Sequence, residues 1–229
     1  MKTALIALLL FAYFAGLTQE IQKESANITI RGYVGIPRAV GSKMFSKAFR
    51  GVYETSLNIN FKIVKNTFVG LGYFNNLFEA NPTVFVKYQA PAKKGGGATI
   101  PYDTQMSNNG AYIKVGYDKF VTQEIYTTVS VNTGYMFSNY SRIIPDSSSA
   151  NQPFVKSNFG AIFFQPELSA HFITEKILSF SLNIGHTTLF KKFDPKAPRF
   201  NQVQEVRDMR NNAPMNWLSI SFGFAVLIN

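Results

Sequence analysis

The sequence predicts an all-β fold: an eight-stranded antiparallel up-and-down transmembrane β-barrel that follows a cleaved signal peptide. Three observations predict it. The N-terminus has the charge and hydropathy profile of an export signal. Beyond it, apolar residues recur with a period of two over segments long enough to cross a membrane at a tilt. The links between those segments alternate between short and long.

The signal comes first. Met1-Lys2-Thr3 is a short positive start, Ala4 to Leu17 carry no charge, and Gly16-Leu17-Thr18-Gln19-Glu20 turns small and polar. An export signal has an apolar region of roughly 7–15 residues, whereas a helix that spans a bilayer needs about 20. The expected division is a signal peptide over residues 1–18 and one barrel domain over residues 19–229. An uncleaved N-terminal anchor is the alternative reading of the same stretch. No later segment is apolar enough to span as a helix.

Composition removes several function classes. The chain has no Cys, which excludes disulfide scaffolds, thiolate metal sites, Cys nucleophiles and anchoring through an acylated Cys. A hydrophobic content of 46% excludes a disordered chain. The formal net charge of +10 suits anionic lipid, acidic glycan or nucleic acid. Nucleic acid is set aside as a partner, because no helix clusters Lys and Arg and no aromatic RNA-binding motif occurs.

The strands are expected near 27–35, 51–64, 67–76, 110–120, 124–138, 159–173, 177–190 and 215–228. In the second, Tyr53, Thr55, Leu57, Ile59, Phe61 and Ile63 alternate with Glu54, Ser56, Asn58, Asn60 and Lys62. That run exceeds the 5–6 residues usual in a soluble sheet and matches the 9–11 that cross a bilayer. In 124–138, Ile125, Val129, Val131, Tyr135 and Phe137 oppose Tyr126, Thr128, Ser130, Asn132 and Ser138. In 177–190, Leu178, Phe180, Leu182 and Ile184 oppose Ser179, Ser181 and Asn183. In 215–228, Leu218, Ile220, Phe222, Phe224, Val226 and Ile228 oppose Ser219, Ser221, Gly223 and Ala225. No segment beyond the signal has a convincing helical period.

The links complete the argument. Short turns fall at Lys65-Asn66, Phe120 to Glu124 and Thr174 to Lys176; long links fall at 36–50, 75–109, 139–158 and 191–214. Short turns on one side and long loops on the other are the mark of an outer-membrane barrel. Tyr53, Tyr73 and Tyr135 lie at the loop ends of their strands on the apolar face, where an interfacial aromatic girdle belongs. A soluble β-sandwich or lipocalin-like barrel shares the period but not the strand lengths. Within link 75–109, Thr83 to Tyr88 alternates again and is expected to extend a hairpin beyond the membrane. Lys93-Lys94 before Gly95 to Gly97 reads as a loop tip.

These segments resemble the small eight-stranded outer-membrane β-barrels of the OmpA/OmpX/OmpW-like type. The signal, the eight alternating runs and the final Leu218 to Ile228 run carry the resemblance, which covers nearly all of the mature chain. It implies the outer membrane of a Gram-negative-type bacterium as the location. One departure is the last residue, since such barrels often end in an aromatic side chain and here Asn229 follows Ile228.

With the apolar face toward lipid, Arg31, Glu54, Lys62, Lys114, Asp118, Glu167, Ser169 and His171 face the lumen. An eight-stranded interior is just wide enough for side chains to fill. Enclosed charges must pair, because isolated ones cost several kcal/mol each. A plug of ion pairs and hydrogen bonds is expected, with Lys62 and Arg31 the first candidates to pair with the row of Glu167, Ser169 and His171, whose register the sequence leaves open. Glu167, Ser169 and His171 alternate as a hydrolase triad could, but Ser and His two residues apart on one strand are separated by about 6.5–7 Å, too far to ensure a hydrogen bond. His186, the other histidine, falls on the lipid side. Neither a metal site nor a cofactor is expected.

The loops carry the remaining signal. Arg38, Lys43, Lys47 and Arg50 lie in a link without an acid, and Lys191 and Lys192 open another. Such groups suit lipopolysaccharide phosphates, a surface ligand or an envelope protein partner. The expected function is therefore a plugged, non-enzymatic barrel with a structural or binding role through basic outer loops. A narrow channel for small solutes is the alternative, and a lipid A-modifying enzyme a further one.

Overall fold

The computed structural model describes residues 24–82, 85–89, 97–101, 104–143, 154–175, 177–194 and 213–229. The signal segment 1–18 and the loop-tip residues Lys93 and Lys94 lie outside the described residues. Among the described residues, ten strands and one short helix follow in order: β1 (Ile28–Val40), α1 (Lys43–Ala48), β2 (Phe49–Val64), β3 (Thr67–Ala80), β4 (Phe85–Gln89), β5 (Gly97–Pro101), β6 (Thr104–Phe120), β7 (Ile125–Ile143), β8 (Phe154–Glu175), β9 (Leu178–Lys192) and β10 (Pro214–Ile228). Eight of them close a barrel in the order β1-β10-β9-β8-β7-β6-β3-β2, with every pair antiparallel. Strands β4 and β5 pair only with each other.

Register fixes the shape. One row of directly opposed residues runs Ile30, Ile59, Leu71, Ile113, Thr133, Phe164, Thr188, Asn216 and back to β1 at Val40. A circuit therefore returns ten residues further along β1. With strands about 4.8 Å apart and a rise of about 3.3 Å per residue, eight strands with that offset tilt by about 40°. The interior of such a barrel holds side chains rather than a pore.

The alternation read from the sequence places the apolar set outside. Leu57, Leu71, Ile113, Val131, Leu168, Leu182, Ile220 and Phe222 are all exposed on the outer wall. Tyr53, Tyr73, Tyr135 and Phe137 ring its outer end, and Phe61, Tyr117, Phe172, Phe180 and Phe224 its inner end. Two aromatic girdles around an apolar band are what a bilayer selects. Closure leaves no unpaired strand edge in hydrocarbon.

The structure corrects the expected links in three places. First, link 36–50 is not a loop. Strand β1 continues to Val40 along β10, although its pairing with β2 ends at Gly35. Pro37 follows and has no N–H to give. Gly51 of β2 crosses so close that an added Cβ would lie 1.6 Å from the Pro37 carbonyl oxygen, so a side chain is not tolerated there. Second, α1 is a helix where none was expected. Gly41, at φ +76°, turns the chain, and Ser42 caps the helix by accepting from the Phe45 N–H at 3.4 Å. Six residues are too few to show a helical period. Third, β6, β7 and β8 are 17, 19 and 22 residues long, well beyond the expected spans. Their outer ends stand above the girdle, where outward residues turn polar (Gln105, Asn139) and inward ones turn apolar (Met106, Tyr140).

Replacing Leu182 with Arg should destabilise the folded barrel by about 2–4 kcal/mol, because the outer wall at that depth meets hydrocarbon. Ser181→Ala, one residue away and inward, should cost far less. Urea titration of the two variants folded into lipid vesicles measures the difference; equal losses would contradict the assigned faces.

Candidate functional site

The lumen is filled in layers. Nearest the inner end, Arg31 on β1 reaches across to Asp118 on β6, with Nη2 donating to both carboxylate oxygens at 3.0 Å. Thr128 on β7 donates to the same carboxylate at 2.5 Å and accepts from Arg31 Nη1 at 3.4 Å. The guanidinium lies 4.8 Å from the centre of the Phe68 ring, which lends cation–π support. His171 stacks flat on Tyr126 with ring centres 4.3 Å apart.

The middle layer centres on the ion pair of Lys114 and Glu167, both enclosed. Asn132 Nδ2 donates to Glu167 at 3.0 Å and to Gln165 at 2.9 Å. Ser169 donates to Asn183 Oδ1 at 2.9 Å, and Asn183 to Ser221 at 3.2 Å. Above them Glu54 accepts from the Trp217 indole N–H at 3.1 Å and from Asn76 at 3.2 Å. Asn76 in turn accepts from Asn108 at 2.6 Å.

An apolar cap closes the outer end. Phe45 of α1 packs against Phe49, Phe78 and Phe193 at ring distances of 5.8, 5.4 and 5.9 Å. Phe78 meets Trp217 edge-on at 5.6 Å, and Tyr140 lies over Phe49 at 6.0 Å. Met44, Met106, Met136 and Met215 fill the gaps. The cavity left beside Glu54 and Glu167 is about 10 Å³, room for about one water molecule. A wider pocket of about 260 Å³ opens at the inner mouth over Asp118, Phe120 and Tyr126.

No protein-family model matches the sequence, and neither does any curated protein. Solved structures do resemble it. Neisserial surface protein A matches with a TM-score of 0.50 at 13% identity, over 90% of this chain and 100% of that one. A major outer membrane protein from Thermus thermophilus matches with a TM-score of 0.50 at 14% identity, over 87% of this chain and 98% of that one. The shared feature is the fold, and with it the apolar, girdled outer wall has its explanation. The chain has the fold of the small eight-stranded outer-membrane β-barrels.

Within this barrel, Arg31, Glu54, Lys114, Asp118, Glu167, Ser169 and His171 are buried in the lumen. Two expectations need correction. Glu167 pairs with Lys114, not with Arg31 or Lys62. Lys62 sits at the inner mouth, partly exposed, and pairs with Glu24 at 3.1 Å. Nor do Glu167, Ser169 and His171 assemble as a triad. The serine hydroxyl bonds Asn183 and Glu167, and neither imidazole nitrogen has a partner among the described residues.

The basic residues gather at the outer end. Arg38 is exposed on β1, Lys43 and Lys47 on α1, and Lys191 and Lys192 at the end of β9. Lys191 covers the Phe159 ring at 4.6 Å, and Arg50 pairs with Glu79 of β3 at 3.4 Å. Sequence reading missed the aromatic cap. The signal was present: Phe74, Phe78, Met106, Met136, Tyr140, Phe163 and Trp217 are apolar residues on the polar parity of their strands.

Removing one partner of the middle pair, as in Lys114→Met or Glu167→Leu, should cost roughly 3–5 kcal/mol by stranding a buried charge. The double variant should recover most of that loss. Unfolding midpoints of the three variants in detergent test the coupling, and additive losses would contradict the pairing.

Proposed function

We propose that this outer-membrane barrel is a closed, non-enzymatic wall protein that binds anionic surface molecules, lipopolysaccharide foremost, through the basic groups of its outer end. The observation that carries the reading is the division of charge. The lumen charges of Arg31, Lys114, Asp118 and Glu167 neutralise one another. The cations of the outer end stand instead at the surface, where Arg50 shares the carboxylate of Glu79. Anionic headgroups attract each surface Lys or Arg with about 1 kcal/mol. A surface ligand or an envelope protein with an acidic face would use the same groups.

The filled lumen supports a closed barrel over the channel reading. The apolar cap covers the outer end, and the cavity beside Glu54 and Glu167, about 10 Å³, is smaller than a hydrated solute. An enzymatic role in lipid A modification finds no support in the row of Glu167, Ser169 and His171, which is enclosed and away from the outer leaflet.

Neutralising Arg38, Lys43, Lys47 and Arg50 together should weaken binding to lipopolysaccharide-containing vesicles by about 10²-fold or more at low salt. Vesicle flotation measures it, and unchanged binding would remove the reading. Vesicles loaded with the protein should not swell in small sugars. Mass spectra of lipid A should be the same with and without the protein, and an altered acyl pattern would establish an enzyme instead.

A further inference from the structure

His186 stands on the outward side of β9, exposed in a wall that is otherwise apolar at its depth: Ile184 lies below it and Phe190 above. An ionisable side chain on a lipid-facing wall is costly and marks a functional site, with a partner to be named. The register supplies its company. Arg38 is opposite Leu218, and Leu218 is opposite His186. Arg38 and His186 therefore share one row with a single strand between them, about 10 Å apart along the wall. One pair further out, Thr188 is opposite Asn216. Lys192 ends β9 above them.

This polar patch is confined to β1, β10 and β9. Elsewhere the same end of the wall carries Tyr53, Tyr135, Phe137 and Ile162. The polar pair on β3 and β6, Asn75 and Asn109, is satisfied internally: Asn75 and Tyr73 both donate to Asn109 Oδ1 at 2.7 Å. Arg38 and His186 have no partner among the described residues. Directly below the patch the wall is Ile36, Ile184, Ile220 and Phe222. Cationic and hydroxyl groups above an apolar strip suit a molecule with an anionic head and an acyl tail. Arg presents a fork of donors that fits phosphate oxygens, and the imidazole and ammonium add charge-assisted bonds.

We propose that Arg38, His186 and Lys192 form a binding site on the β1–β10–β9 wall for the phosphate headgroup of an outer-leaflet lipid, whose acyl chain lies over Ile220 and Ile184. The site rests on the surface-binding reading above and narrows it to one wall. All three residues are exposed, so their replacement leaves the buried interior intact.

The test is the heat-induced gel-mobility transition of purified protein in neutral detergent. Bisphosphorylated lipid A, the same lipid stripped of phosphate, and inorganic phosphate are titrated separately. Phosphorylated lipid A should raise the midpoint, and the other two should not. Arg38→Gln with His186→Gln should weaken the half-saturating concentration by about tenfold or more, the loss of one charged hydrogen bond or greater. Lys43→Gln with Lys47→Gln, on the broader basic surface, should weaken the response less than the Arg38/His186 pair does, and Lys65→Gln at the exposed inner turn should leave it in place. A wild-type response in the Arg38/His186 variant overturns the site; if the Lys43/Lys47 variant alone loses the response, the broader surface reading stands without it. No response of the native protein to phosphorylated lipid A removes both. An equal response to inorganic phosphate overturns the lipid assignment.

Discussion

Everything in this barrel depends on the pairing of its first strand with its last. Thirteen residues of β1 oppose thirteen of β10, and the circuit they close is offset by ten residues. That offset sets the tilt, and eight tilted strands set the bore. A bore this narrow cannot hold bulk water around a charge, so each inward ionic group must meet another side chain. Arg31 on β1 accordingly reaches Asp118 on β6, on the far side of the lumen. Lys114 meets Glu167 for the same reason. Closure comes first, and the pattern of pairs is its consequence.

The two halves of the strands obey opposite rules. Within the bilayer the outside is hydrocarbon, so apolar side chains point out, polar side chains point in, and the backbone is satisfied within the barrel. Above the girdle the outside is water, and the ordinary rule returns, with apolar groups inside. One strand shows both. On β7, Val131 and Tyr135 face out and Asn132 faces in, while further along the same strand Asn139 faces out and Tyr140 faces in. The inversion explains why the cap is aromatic, and why α1 folds down upon it rather than standing in solvent.

That inversion also marks how far the sequence could be read. The eight strands, their outward faces and three of the Tyr side chains of the outer girdle were legible, because a period of two survives over about ten residues in each strand. Strand ends were not. A run of Asn139, Tyr140, Ser141 and Arg142 reads as a loop when apolar-out is the only pattern sought. The pairing of Glu167 was not legible either. Lys114 opposes Asn132, and Asn132 opposes Gln165, two residues from Glu167. Such rows climb as they pass around the barrel, so sequence depth alone misplaces a partner by a strand or more. Lys62, which looked equally inward by parity, sits too near the inner turn to reach. Helix α1 was hidden by its length.

The lumen and the wall differ in how they tolerate change. Inside, the side chains are linked: Glu167 is bonded by Lys114 and Asn132, Asn132 also bonds Gln165, and Ser169 joins Glu167 to Asn183. Removing one member leaves others buried without partners, at a cost comparable to much of a domain's stability. On the wall, a substitution at His186 or Arg38 disturbs no such chain. Variation therefore costs little outside and much inside. A fold with so linked an interior leaves its outer surface the freer to vary, and the basic residues stand on that surface.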